Sequence, residues 1–292
     1  SGAVFSFLMI RKRNLYHGVG IRFTLSLFGN EIDPNNIAGL IIPSNLIALD
    51  FLLKRHGKKK CTIFHIVTFL SISIGIVMAG SRGGILALVI AISSYIMLDL
   101  YFSKDAGITL KDTRYYFEKP IRFSNIGYFI LLIVSVAFLQ YFIGSNIDQM
   151  LLNRISLKNI LANNDAGSDR LYIWGSGLAL YKEHILTGIG LGGFGGLTGK
   201  GMHNQYLRIL VESGPLALFL FIYAILLIML KLFRSKDELG LAIIIGMLVV
   251  IFFLDAFQKK YMWNPIILSM AFMKSQSFSM RQTRTVPQVE KR

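Results

Sequence analysis

Gly80-Ser81-Arg82-Gly83-Gly84 decides how this chain is built, because it sets an arginine between two apolar runs of near membrane-spanning length. One run covers 61–79 and the other 85–101. A link this short is a tight turn at one face of a membrane, and Gly, Ser and Asn alone would have made it. Arg82 adds a permanent charge and a rigid fork of donors suited to phosphate. Two readings follow. The arginine snorkels to lipid headgroups, or it belongs to an anion-binding site at the membrane surface.

Composition supports the membrane setting. Of 292 residues, 53% are hydrophobic and 16% charged, with a mean hydropathy of +0.55. A soluble domain carries about a quarter charged residues. The expected fold class is therefore all-α: a polytopic helical membrane protein with about six spans and one large extracytoplasmic loop. The net charge of +15 does not form a nucleic-acid patch, since the basic residues lie between apolar runs and in the C-terminal tail. The densest cluster, Lys54-Arg55-His56-Gly57-Lys58-Lys59-Lys60, has the character of a cytoplasmic loop. The basic tail suits anionic membrane lipids. Cys61 is the sole cysteine, which excludes an intrachain disulfide and a cysteine-based metal site. No cofactor is expected.

The apolar runs place spans at 36–53, which contains Pro43, and at 62–79, 85–101, 125–143, 215–232 and 239–254. Segment 265–273 is too short to cross alone. With the Lys54 cluster inside, Arg82 lies outside, and so does the segment from Gly144 to Gly214. Arg11-Lys12-Arg13 runs mildly against that orientation. The expected division is an extracytoplasmic N-terminal segment (1–35), a four-span membrane region (36–143), an extracytoplasmic loop (144–214), a C-terminal membrane region (215–273) and a basic cytoplasmic tail (274–292). The opening Ser1-Gly2-Ala3-Val4 leads into residues that read like the tail of an earlier span. The chain is thus expected to be an N-terminally truncated part of a longer protein. The outer loop is glycine-rich, and Leu171, Trp174, Leu178 and Leu180 suit amphipathic helices lying on the membrane, with Ser168 or Asp169 as an N-cap.

A few residues bear chemistry. His203 precedes Asn204 near the start of a helix leading to the fifth span, where a helix N-terminus favours neutral imidazole. Arg170 either pairs with Asp169 or meets an anion. Glu212, just before Gly214 and Pro215, pairs with an arginine or marks a helix break. Asp33-Pro34-Asn35-Asn36 reads first as a turn and helix start. Together, Arg82, Arg170 and His203 put two fixed cations and one base on one membrane face. That set suits displacement of a pyrophosphate: the arginines neutralise the leaving group while the base takes a proton from a hydroxyl. A metal-independent reaction is the expectation.

In this order and spacing, the chain resembles the O-antigen ligase/polymerase family of bacterial envelope glycan enzymes. The resemblance rests on Asp33-Pro34-Asn35-Asn36-Ile37-Ala38, Ser81-Arg82-Gly83-Gly84 and Asp169-Arg170-Leu171-Tyr172-Ile173-Trp174. It continues through Gly188-Ile189-Gly190-Leu191-Gly192 and His203-Asn204-Gln205-Tyr206-Leu207 to Glu212-Ser213-Gly214. The resemblance implies an inverting membrane glycosyltransferase of lipopolysaccharide or capsule biosynthesis in the bacterial inner membrane. It would take a glycan from an undecaprenyl pyrophosphate carrier to a glycan or lipid acceptor. It further implies that Arg82 and Arg170 hold pyrophosphate and that His203 is the base, with Asn204, Glu212 and Asp169 in support. Members of the family usually carry more spans than this chain shows. Two other classes stay open: a transporter or flippase of lipid-linked oligosaccharide, and a non-catalytic membrane scaffold. The first calls for ionisable groups deep in the spans, where His65 and Asp99 are the candidates. The second makes the arginines and His203 individually replaceable.

Overall fold

The computed structural model describes residues 14–15, 23–24, 26–27, 30–53, 59–105, 170–260, 262–267 and 269–270. Two antiparallel ladders of two-residue strands come first: β1 (Asn14–Leu15) pairs with β2 (Phe23–Thr24), and β3 (Ser26–Leu27) with β4 (Asn30–Glu31). Most of the core among the described residues is helical. The expected span at 125–143 lies outside the described residues, as do Ser168 and Asp169.

Helix α1 (Pro34–Leu53) begins where the sequence places a helix start. Asp33 Oδ1 accepts from the Asn35 amide at 2.7 Å, and Pro34 takes the first helical position, where its missing N–H costs nothing. Helix α2 (Lys59–Met78) is closed by Gly80, whose φ of 58° is the left-handed conformation of a helix C-cap. Ser81 then caps α3 (Arg82–Asp105), its Oγ accepting from the Gly84 amide at 3.0 Å. Arg82 is therefore the first residue of a helix and not the middle of a turn, and α3 starts three residues before the apolar run does.

After the undescribed stretch come α4 (Arg170–Tyr181), α5 (Gly193–Thr198), α6 (Gln205–Arg234) and α7 (Glu238–Phe252). The fifth span is the C-terminal part of a longer helix. Helix α6 runs through Gly214, whose φ of 81° breaks the ladder just before Pro215. Residues 262–267 and 269–270 add short helical turns.

Pro34–Leu53, Arg82–Phe102 and Gln205–Arg234 are each long and apolar enough to cross a membrane, and Phe64–Met78 and Glu238–Phe252 are shorter apolar helices. The chain is a helical membrane protein. Helix α1 is the most enclosed of the three long ones, and α6 the most open to the surroundings. Helix α7 packs chiefly on α3 and also against α1 and α6. The core joins Ile37, Ile41 and Leu46 of α1 to Ile72 and Ile76 of α2, Ala87 and Tyr95 of α3, and Met247 and Val250 of α7.

Small residues let these helices meet. A Cβ on Gly84 would overlap the methyl of Ala38, and one on Gly246 would stand 2.8 Å from that of Ala91. Between lipid tails no hydrophobic force draws helices together, so close packing of this kind carries the association. Polar contacts add register: Asn45 donates to Ser73 Oγ at 3.0 Å, and the Tyr95 hydroxyl donates to Asp50 Oδ1 at 2.7 Å. Such interhelical bonds contribute about 0.6 kcal/mol each on average.

Candidate functional site

One end of the bundle gathers the chemistry. Ser81, while capping α3, also donates its hydroxyl to Asn35 Oδ1 at 2.8 Å, which ties the start of α1 to the start of α3. Arg82 sits at that junction, half-buried, where the α3 dipole adds positive potential. Among the described residues no hydrogen bond or ion pair takes its guanidinium.

Phe253, at the C-terminal cap of α7, lies between Gly83, the neighbour of Arg82, and Arg170. The ring backs onto Gly83, whose Cβ position would lie 2.7 Å from it, and the Arg170 guanidinium carbon stands 5.5 Å from its centroid. This cation–π contact fixes Arg170 at the first turn of α4.

His203 stands just ahead of α6, with a φ of 52° that is uncommon for a residue bearing a Cβ. Three contacts hold it. Its amide donates to Asp255 Oδ2 at 3.0 Å. Asn204 caps α6, accepting from the Leu207 amide at 3.1 Å. Gln205 Oε1 accepts from the Ala256 and Phe257 amides at 2.9 and 2.7 Å. Residues 253–257 thus touch the neighbour of Arg82, Arg170 itself and the His203 segment. Asp255 Oδ1 is buried with no hydrogen-bond partner in the structure, an acceptor left unsatisfied in the same segment. Asp255 Oδ2 and the His203 ring both lie within 4 Å of the point where a Gly201 side chain would project.

From the other side, α4 supports His203. Trp174 Nε1 donates to the Met202 carbonyl at 3.0 Å, and Gly177 leaves room for the Met202 side chain. Ile173, Phe194, Met202 and Val211 form a small core, with Trp174 and Leu180 packed on it. This corrects the picture of α4 as a helix resting its apolar face on lipid. Trp174 and Leu180 turn inward, leaving Leu171 and Leu178 exposed.

Glu212 reaches neither Arg82 nor Arg170 in any contact the structure shows. Its buried carboxylate accepts from Arg208 Nε at 3.1 Å and from the Gly192 amide at 3.0 Å. Backbone bonds from Ile189 to Val211 and from Gly190 to Glu212 run alongside. Glu212 thus clamps the glycine loop to α6. His65 stacks on Phe51 at 4.9 Å, a packing role.

Phe253 and Asp255 are not in the sequence-derived set. Their signal is present: Asp255 is the first charge after the nearly charge-free run 239–254, at the end where His203 is expected. Beside Phe253, an open and almost wholly apolar groove of about 520 Å³ is lined by Leu86, Tyr206, Ile245, Leu248, Val249, Phe252 and Phe253. Arg170 against Phe253, Arg82 next to Gly83 at the same ring, a clamped histidine and an adjoining apolar groove suit an amphiphile with an anionic head.

No curated protein and no solved structure matches the chain. The family model described as O-Antigen ligase matches residues 67–222, from within α2 to within α6, and so takes in Arg82, Arg170, His203 and Glu212. With more than half of its length matched, the chain belongs to the O-antigen ligase family.

Proposed function

We propose that this membrane protein transfers a glycan from undecaprenyl pyrophosphate to an acceptor hydroxyl, at the extracytoplasmic face of the bacterial inner membrane. The observation that carries the reading is the convergence of the Arg82 turn, Arg170 and His203 on residues 253–257. Family membership supplies glycan processing in a membrane. The groove beside Phe253 supports a lipid-borne donor, since a stretch of isoprenoid lying there would bring its pyrophosphate towards Arg170 and Arg82.

In this mechanism the acceptor oxygen attacks the anomeric carbon from the face opposite the pyrophosphate. The bond from that carbon to the phosphate oxygen breaks, and the configuration inverts. The hydroxyl proton passes to the His203 ring. Asp255 positions His203 and steadies the cation that forms. The negative charge growing on the leaving pyrophosphate falls to Arg82 and Arg170, so charge neutralisation comes from guanidinium groups and not from a divalent ion. Domain roles follow: the segment 144–214 carries the outward chemistry, and the spans hold the carrier.

The test is a glycan-length profile from cells lacking the gene, complemented with wild type or His203→Ala at matched expression. A ladder of long chains restored by wild type, with single carrier-linked repeats under His203→Ala, identifies a polymerase. Long chains that accumulate on the carrier without reaching their acceptor identify a ligase. Full restoration by His203→Ala removes the base assignment and favours a transporter or scaffold.

A further inference from the structure

Leu186 and Leu191 are among the most exposed large apolar side chains described, at 80% and 89%. Neither sits on a loosely held tip. The Gly214 α-carbon abuts the Leu186 carbonyl so closely that a Cβ there would overlap it. Leu191 is flanked by Gly190, whose amide donates to the Glu212 carbonyl at 3.0 Å, and by Gly192, whose amide donates to the Glu212 carboxylate at 3.0 Å. Both leucines are therefore stapled to α6 within two residues of the Gly214–Pro215 kink. Immediately beyond that kink, α6 turns outward an apolar surface beginning with Leu216 (66% exposed), Phe219 and Leu220. The exposed leucines lie on a loop pinned beside the start of that apolar surface, where the long apolar part of α6 begins.

We propose that the 185–191 loop is a membrane wedge, with Leu186 and Leu191 seated at the boundary between headgroups and acyl chains of the bilayer leaflet on the site's side. Its partner is the lipid bilayer. The wedge fixes the height of the His203 segment above the membrane, because the clamp at Glu212 and the Met202–Trp174 contact belong to the same small unit. The inference uses the membrane setting of α6 and stands whether or not His203 is a base.

The full chain, with Cys61→Ser, is reconstituted in phosphatidylethanolamine–phosphatidylglycerol nanodiscs and nitroxide-labelled at Leu186→Cys or Leu191→Cys. Leu220→Cys gives the lipid reference and Ser235→Cys the aqueous one; all four positions are exposed, so the label displaces no core. Collision with oxygen and with a soluble nickel chelate is read by power saturation. The wedge predicts oxygen-to-nickel ratios at 186 and 191 several-fold above that at 235 and approaching that at 220. Ratios like that of 235 overturn it, as does a spectrum in which neither reagent reaches the label, which would mean protein covers the loop. The unsubstituted chain gives a second readout with a phospholipid carrying a headgroup-proximal diazirine. Adducts on peptide 185–191 support the wedge, whereas adducts confined to α6 overturn it.

Discussion

Gly201 shows how little space the site leaves. A methyl at this position would stand 2.9 Å from Asp255 Oδ2 and 3.6 Å from the His203 ring. Its φ is not in the left-handed region, so the backbone tolerates alanine and the damage falls on the Asp255–His203 pair. Gly201→Ala is expected to lower transfer by about tenfold or more with thermal stability unchanged, since ångström-scale misplacement costs up to about 10²-fold. Transfer rate and melting point, measured on one preparation, check the split. Arg82→Ala should cost about 10² to 10³ in rate, as loss of one donor to a developing anion does. Arg82→Lys restores charge but not the planar fork, so a single-turnover assay should find it between the two. The arginines and the histidine could be picked out of the sequence as candidates because polar residues stand out against apolar runs. Asp255 could not, because its meaning depends on a bond to a backbone amide 52 residues away.

At the scale of elements, two glycines where the loop meets α6 are the vulnerable points. Gly214 has both a left-handed φ and no room for a Cβ, and Gly188 (φ 69°) would put one 2.5 Å from the Glu212 carbonyl carbon. Gly214→Ala is expected to destabilise by at least about 1–3 kcal/mol, visible as a lowered midpoint in detergent-solubilised thermal unfolding. Trp174→Phe keeps the ring in the small core but removes the bond to Met202, at a cost of about 1 kcal/mol. It should lower transfer more than it lowers the melting point. An unchanged transfer rate would detach Trp174 from the site. Helix starts were readable at Asp33 and near His203, but not at Ser81, which caps a helix where the sequence suggested only a turn. Nor was the direction in which α4 faces. An alternation of apolar and exposed positions looks the same whether the apolar stripe meets lipid or, as Ile173 and Trp174 do, a loop folded back from later in the chain.

For the whole molecule, helix association rests on α1, α3 and α7 approaching through Gly84, Ala38, Gly246 and Ala91. Gly84→Leu would force α1 from α3 and with it part the Asn35–Ser81 bond that seats Arg82. Overpacking of this kind costs about 1–3 kcal/mol or more. The expected result is a protein that still inserts but loses transfer, seen by comparing its membrane yield with its activity. The clamp of His203 by residues 255–257 has a consequence for biogenesis. Helix α6 and its preceding histidine leave the ribosome before α7 does, and the Asp255, Ala256 and Phe257 contacts form only once α7 has been made and has packed on the bundle. Until then the His203 segment has no fixed seat and the Arg170 guanidinium lacks the Phe253 ring. On the mechanism proposed above, a nascent chain would therefore stay inactive until α7 is in place.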